Sequence, residues 1–233
     1  MSLLQVAALE TGYEQLQVLW SVDLAVEEGE SVLLLGANGA GKTTLLRAVV
    51  GLLPAWRGRI VFADTDITRW RPDQRIRHGL AFMSELGVFP TLSIRENLRM
   101  GGYFVSSAAA RARAEELYEL FPALAERRRE LAASLSGGQR KMLGVAKALM
   151  SQPRLLIMDE PSAGLAPVFV KQVVETLTQV HGRGMALLIA EQNTSFLPLA
   201  DRGYVLEGGR IVFSGADREL RDSKAVQQAY FGV

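Results

Sequence analysis

The stretch Gly36-Ala37-Asn38-Gly39-Ala40-Gly41-Lys42-Thr43, followed by Thr44, has the residue types and spacing to hold a chain of phosphates. It fits the pattern G-x-x-x-x-G-K-[ST]. Gly36, Gly39 and Gly41 let the backbone bend so that N–H groups converge on phosphate oxygens. Lys42 offers a point charge to the β- and γ-phosphates, and the Thr43 hydroxyl can ligate Mg²⁺. A second group, Leu135-Ser136-Gly137-Gly138-Gln139, reads as an N-capped helix start whose glycines allow close approach to the backbone, which is a further anion site. Standing alone, it equally describes a capped helix after a glycine turn. In a third group, the apolar run Leu155-Leu156-Ile157-Met158 delivers Asp159 and Glu160. Two acids at a strand's end suit a metal ion and a water nucleophile beside a triphosphate. Asp159 would hold the metal, and Glu160 would act as general base or orient the water. Helix capping is the alternative use of such a pair.

Elements of α/β type must position these groups. Ser31–Leu35 reads as a buried parallel strand before the phosphate loop, and Thr44–Val50 as the helix after it. Upstream, Leu4–Leu9 and Ser21–Val26 show rough period-two patterning, with a turn at Glu27–Glu30, and predict an antiparallel β region. Tyr13 falls in the turn after the first strand, where composition alone makes it a surface residue. Gly58–Phe62 and Leu80–Met83 read as strands, and Arg69–His78 as polar and helical after Pro72. Glu85 follows a strand end, a place that faces the ligand crevice of an α/β sheet or else solvent.

From about residue 90 to 134 the composition turns Ala-, Glu-, Arg- and Leu-rich without a strand candidate. Ser93–Gly101, Ser106–Phe121 and Pro122–Leu131 predict helices, with Leu117, Leu120, Phe121 and Leu124 on one stripe. With the helix from Ser136 to Met150 this makes a helical subdomain over about 90–150, inserted in the core of a single domain spanning 1–233. Arg127-Arg128-Arg129 reads as a solvated helix face, and the absence of interleaved aromatics argues against nucleic acid as a partner. Beyond the acids come a loop from Pro161 to Pro167, a helix over Val168–Val180, a strand over Met185–Ala190 and a hairpin joining Tyr204–Glu207 to Arg210–Phe213. Short helices near Arg218 and over Ser223–Tyr230 close the chain.

The bulk numbers fit this reading. The chain has 233 residues, 48% hydrophobic and 22% charged, with a formal net charge of +1. That describes one large globular domain with a core and carries no electrostatic demand for nucleic acid. Zero cysteines exclude a disulfide framework and a thiolate metal site. No basic n-region precedes an apolar segment, and no apolar run approaches the about 18–20 residues of a membrane span, so a cytoplasmic protein able to dock on a membrane partner is expected.

Taken in order, the phosphate loop, Leu135–Gln139 and Leu155–Glu160 resemble an ATP-binding cassette (ABC) transporter ATPase subunit over essentially the whole chain. The resemblance implies a P-loop NTPase core with a mostly parallel sheet, an N-terminal antiparallel β region and a helical subdomain. It implies ATP and Mg²⁺, and a dimer in which each phosphate loop faces the Ser136–Gln139 segment of the partner. It assigns Tyr13 to adenine stacking and Glu85 to the place where most members carry a metal-sensing glutamine. Ala166 stands where an aspartate is usual, and Gln192 where a switch histidine contacts the γ-phosphate. An amide can hydrogen-bond a phosphate but cannot take up a proton. An ATP-binding module without turnover is therefore one reading, but the intact Lys42, Thr43, Ser136, Gly138, Asp159 and Glu160 favour an active ATPase. The stretches Gly164-Leu165-Ala166-Pro167, Glu191-Gln192-Asn193 and Ala200–Glu207 are similar to the LivF-type ATPase of branched-chain amino acid importers. That subfamily implies a second ATPase subunit, membrane permeases and a periplasmic or extracellular solute-binding protein, with the ATPase peripheral on the cytoplasmic face of the plasma membrane. Urea or amide importers and a soluble, non-transport ABC ATPase are the alternatives.

Overall fold

The structure, a computed structural model, describes residues 2–85, 87–216 and 219. Two long strands open the chain, β1 (Ser2–Tyr13) and β2 (Leu16–Glu27). Both exceed the segments patterned in the sequence, because their ladder slips. Register shifts fall between Val6 and Leu9 and again on either side of Thr11, while Ala8 and Ser21 take φ of 46° and 50°. Each slip changes the face on which the next side chains lie, so period two holds only between slips. Tyr13 accordingly closes β1, paired with Leu16, instead of lying in the turn.

There follow β3 (Ser31–Leu35), α1 (Lys42–Val49), β4 (Arg57–Phe62) and β5 (Thr65–Asp66). The first, second, fourth and fifth strands form an antiparallel sheet ordered β2-β1-β4-β5. Next come α2 (Pro72–Arg77), β6 (Leu80–Met83), α3 (Ile94–Gly101), α4 (Ser107–Leu120) and α5 (Pro122–Glu126). The chain continues through α6 (Gly137–Leu149), β7 (Leu155–Asp159), α7 (Pro167–His181), β8 (Ala186–Glu191), β9 (Arg202–Glu207) and β10 (Arg210–Ala216). These build a second sheet, ordered β10-β9-β3-β8-β7-β6, parallel except for the β9–β10 hairpin. The helices expected near Arg218 and over Ser223–Tyr230 lie outside the described residues, apart from Glu219.

β3, β7 and β8 are buried along their whole length because the parallel sheet is covered on both faces. Leu33, Leu35, Leu156, Met158, Leu187 and Ile189 face a core shared with α6 and α7. Val32, Leu34, Leu155, Ile157, Leu188 and Ala190 face a core shared with α1 and the antiparallel sheet. The stripe residues Leu117, Phe121 and Leu124 join the first of these cores, although the helix breaks at Phe121 ahead of Pro122. α5 then stops at Glu126, so Arg127-Arg128-Arg129 is not a helix face. Arg127 instead pairs with Glu130 at 2.7 Å and donates to Gln139 Oε1 at 2.9 Å.

α1 is anchored at its far end by a residue the sequence placed on a polar helix. Arg75 of α2 is only 2% exposed. Its Nη1 donates to Ala48 O at 2.8 Å and Val49 O at 2.6 Å, in the last turn of α1. Nη2 reaches Thr68 O and Nε reaches Trp70 O, each at 3.0 Å. Carbonyls at a helix C-terminus have no intrahelical partner, and a buried cation satisfies them at a desolvation cost that pushes the guanidinium down to about 10. Replacement of Arg75 by Met is expected to remove about 2–4 kcal/mol of stability in urea unfolding, since several buried carbonyls lose their charged donor. A loss below about 1 kcal/mol would show that water replaces the guanidinium without penalty.

Candidate active site

The parallel strands end together along one edge, where α/β sheets bind ligands. In register, Leu35 lies beside Glu191, and Asp159 beside Ala190. The phosphate loop leaves β3 at this edge and turns into α1 through Gly41, the helix N-cap, at φ 108°. That backbone is strained for any side chain, and a Cβ there would also approach Leu19 Cδ2 at 2.9 Å. No side chain caps α1, so its first-turn N–H groups are left to an anion. Gly36 and Ala40 are buried, while Ala37, Asn38 and Gly39 are exposed at the loop tip.

Lys42 is 3% exposed. Its Nζ donates to Gly36 O at 2.8 Å and Ala37 O at 3.1 Å, and pairs with Glu160 Oε1 at 3.2 Å. Thr43 Oγ1 donates to Asp159 Oδ1 at 3.1 Å. Burial raises the Asp159 carboxyl above its ordinary range and the Glu160 charge adds to this, while the Thr43 hydrogen bond works against it. Gln192 Nε2 donates to the same Glu160 oxygen at 3.2 Å. Lys42, Thr43, Asp159, Glu160 and Gln192 are therefore brought into one cluster.

Tyr13 stands at the flank of α1, its hydroxyl 3.4 Å from both Thr44 Oγ1 and Arg47 Nη1. Its ring lines an open cleft of about 570 Å³ with Leu16, Leu53, Pro54 and Trp56, an apolar wall suited to a base. Glu85 is exposed beyond β6, and its tie to the site runs through its backbone carbonyl, which accepts from Lys141 Nζ at 2.8 Å. Among the described residues no group of three or more His, Cys, Asp or Glu side chains could hold a metal. A metal here therefore needs the Thr43 hydroxyl and the phosphates of a ligand to complete its shell.

Ser136–Gln139 lie at the start of α6. Ser136 Oγ accepts from Gln139 N at 3.2 Å, and Gln139 Oε1 accepts from Ser136 N at 3.0 Å, a reciprocal cap that leaves Ser136 exposed. Gly138 is buried against α7, where a Cβ would meet Phe169 Cδ1 at 2.7 Å. Among the described residues, the side-chain bonds of Ser136 and Gln139 are with each other's groups and Arg127, not with Lys42 or Glu160.

Two residues were missed in the sequence. Glu191, 2% exposed, gathers the loops after β7 and β8. Its Oε1 accepts from Ser162 N at 2.7 Å, and its Oε2 from Ser162 Oγ, Gln192 N and Asn193 N at 2.9, 3.1 and 3.2 Å. Burial pushes its carboxyl up, and those donors pull it back. The signal was present: an apolar strand ending in an acid, the same pattern that singled out Asp159. Lys141 is the other, and nothing in its helical surroundings marks it as buried.

Residues 19–163 match the family described as ABC transporter. The chain is 40% identical to the high-affinity branched-chain amino acid transport ATP-binding protein BraG of Pseudomonas aeruginosa, over 96% of this chain and 97% of that one. It is 30% identical to a probable branched-chain amino acid transport ATP-binding protein LivF of Archaeoglobus fulgidus, over 99% of both. A lipopolysaccharide export system ATP-binding protein LptB of Haemophilus influenzae is 32% identical over 100% of this chain and 98% of that one. Among solved structures, the ADP conformation of MJ1267, an ATP-binding cassette of an ABC transporter, superimposes with a TM-score of 0.88 at 26% identity, covering 100% of both chains. With its phosphate loop, acid pair and two-sheet core in this arrangement, the chain belongs to the ABC transporter family as an ATP-hydrolysing, nucleotide-binding subunit.

Proposed function

We propose that this subunit powers an importer of branched-chain or similar hydrophobic amino acids, peripheral on the cytoplasmic face of the plasma membrane. It would pair with a second cassette, as homo- or heterodimer, and drive membrane permeases served by a solute-binding protein. No helix among the described residues is long and apolar enough to cross a membrane. The 40% identity to BraG supports this solute class. The 32% identity to LptB supports a second reading, a motor for lipid export. The helical region from about 90 to 150 is proposed to carry motion to the permease.

The observation that carries the hydrolytic reading is the meeting of Lys42, Glu160 and Gln192 on one carboxylate oxygen. The backbone of Gly36, Asn38, Gly39, Ala40 and Gly41 and the groups of Lys42, Thr43 and Thr44 would cradle the phosphates, with adenine on Tyr13. Thr43 and Asp159, two hard oxygen donors already in contact, fit Mg²⁺, with Glu85 joining from the loop beyond β6. A Mg²⁺ held by these oxygens would supply positive charge against the phosphates of ATP. The γ-phosphate competes with Glu160 for the Lys42 ammonium and so frees that carboxylate to orient a water and take its proton. Gln192, already bonded to Glu160, would bond the γ-phosphate through its amide. Ser136, Gly137, Gly138 and Gln139 would close on the nucleotide of the partner cassette.

Glu160→Gln is expected to lower Mg²⁺-dependent ATP turnover by at least about 100-fold while ATP still binds, because the general base is lost and the phosphate site is not. Equal turnover in variant and wild type would remove Glu160 from the mechanism. Captured from native membranes with ATP, the same variant should bring down permeases and a second cassette. Lipid-export components would favour the second reading, and ribosomal proteins without a permease would overturn both. Tyr13→Ala should weaken ATP binding by about 1–3 kcal/mol in a nucleotide titration, the scale of one base–aromatic stack. Glu191→Gln sets an amide N–H among four donors, and should cut kcat about 10-fold with little change in ATP affinity, since the Ser162 and Gln192 loops lose their common anchor. A kcat within about twofold of wild type would show that those loops hold themselves.

A further inference from the structure

Besides Lys42 and Arg75, the buried cation Lys141 is 8% exposed and has no part in the chemistry described so far. It lies on α6, the helix whose first residues are Gly137 and Gly138. Its Nζ donates to two backbone carbonyls, Glu85 O at 2.8 Å and Glu160 O at 3.2 Å. These acceptors follow the ends of β6 and β7, so one ammonium joins three separate chain segments at the edge of the site. Burial pushes the Lys141 ammonium below its ordinary range, and the negative charges of Glu85, Glu191, Asp159 and Glu160 recover only part of that cost.

The backbone of Glu160 explains why such a tie matters. Glu160 sits at φ 47°, a left-handed conformation that a non-glycine residue keeps only where its neighbours over-determine it. Its N–H donates to Ala190 O at 2.9 Å. Its C=O accepts from Lys141. The peptide of the proposed general base is thus pinned from β8 on one side and from α6 on the other. Without the ammonium that carbonyl loses its buried donor, and the strained peptide is free to relax toward an ordinary conformation.

We infer that Lys141 is a positioning residue for ATP hydrolysis, holding the Glu160 main chain and the Glu85 loop so that the Glu160 carboxylate meets the water and the γ-phosphate. The inference rests on Glu160 being the general base. It also makes one helix serve two sites: α6 presents Ser136–Gly138 toward the partner's nucleotide and, a turn later, fixes the acid of its own. A methionine at 141 fills the same space without donating, whereas an arginine can donate to both carbonyls.

The test measures steady-state kcat and KM, together with the affinity for a fluorescent ATP analogue, on the full-length wild type, Lys141→Met, Lys141→Arg and Glu160→Gln. Lys141→Met is expected to lower kcat about 10- to 100-fold, the scale of a misplaced catalytic group, with analogue affinity within about threefold of wild type. Lys141→Arg should restore most of the rate. A kcat within about twofold of wild type in Lys141→Met overturns the inference, as does a parallel loss of rate and affinity that arginine fails to restore. Should the methionine variant not fold, Lys141→Ala, which also removes the donor but leaves room for water, takes its place under the same criteria. Failure of the underlying reading looks different: wild-type turnover would then be insensitive to Glu160→Gln, whatever the variants at 141 do.

Discussion

Asp159, Glu160 and Glu191 leave adjacent parallel strands at one edge of the sheet, and the surrounding structure is arranged by the need to hold their negative charge there. Two carboxylates about 4 Å apart repel by roughly 4 kcal/mol at an effective dielectric of about 20, so each must find its own compensation. Asp159 takes a hydroxyl from Thr43, Glu160 takes the Lys42 ammonium and the Gln192 amide, and Glu191 takes donors from Ser162, Gln192 and Asn193. Lys141 adds positive charge from behind. Each carboxylate has thereby acquired a different partner. In the proposed mechanism Glu160, paired with the Lys42 cation, is the one that a phosphate would release.

The departures from the common family pattern fit within that arrangement. Gln192 lacks a titratable ring, but its amide reaches Glu160 and its own N–H is held by Glu191, so its position is set by geometry and not by charge. Ala166 is the N-cap of α7 and offers no side-chain bond there, which costs about 1 kcal/mol relative to an aspartate. Pro167 at the first helical position offsets part of this by fixing φ in advance. Glu85 accepts the Lys141 ammonium on its backbone carbonyl, a hydrogen bond that any residue at this position can make, and its carboxylate adds negative charge nearby.

Elements buried on both faces were legible in the sequence, because continuous apolar runs with glycine or acid at the end admit few readings. β3, β6 and β7 fall where Ser31–Leu35, Leu80–Met83 and Leu155–Met158 placed them, and Ser136 caps α6 as its residue type indicates. The long N-terminal strands were only half legible, since slips near Ala8 and Ser21 destroy the alternation that reveals a strand. Arg75 and Lys141 were illegible for a different reason. A long basic side chain on a helix looks solvated in any local pattern, and only tertiary structure shows that backbone carbonyls from distant segments converge on it. Arg127 failed in the opposite sense, read as part of a charged helix face when it belongs to the turn that braces Gln139.

Arg75 and Lys141 also divide the mechanical work. α1 has its C-terminal carbonyls locked by Arg75, and its N-terminus is continuous with a phosphate loop whose base at Gly36 and Ala40 is buried. A phosphate captured at the N-terminus of α1 therefore meets a fixed support. The acids across the Lys42 ion pair are tied elsewhere: the main chain of Glu160 is bonded to α6 by Lys141, and the loop after β7 is joined to β8 through Ser162 and Glu191. In the proposed mechanism, a phosphate that takes Lys42 from Glu160 would therefore change a carboxylate whose backbone is coupled to the helical side of the sheet, while α1 keeps its own anchor in Arg75.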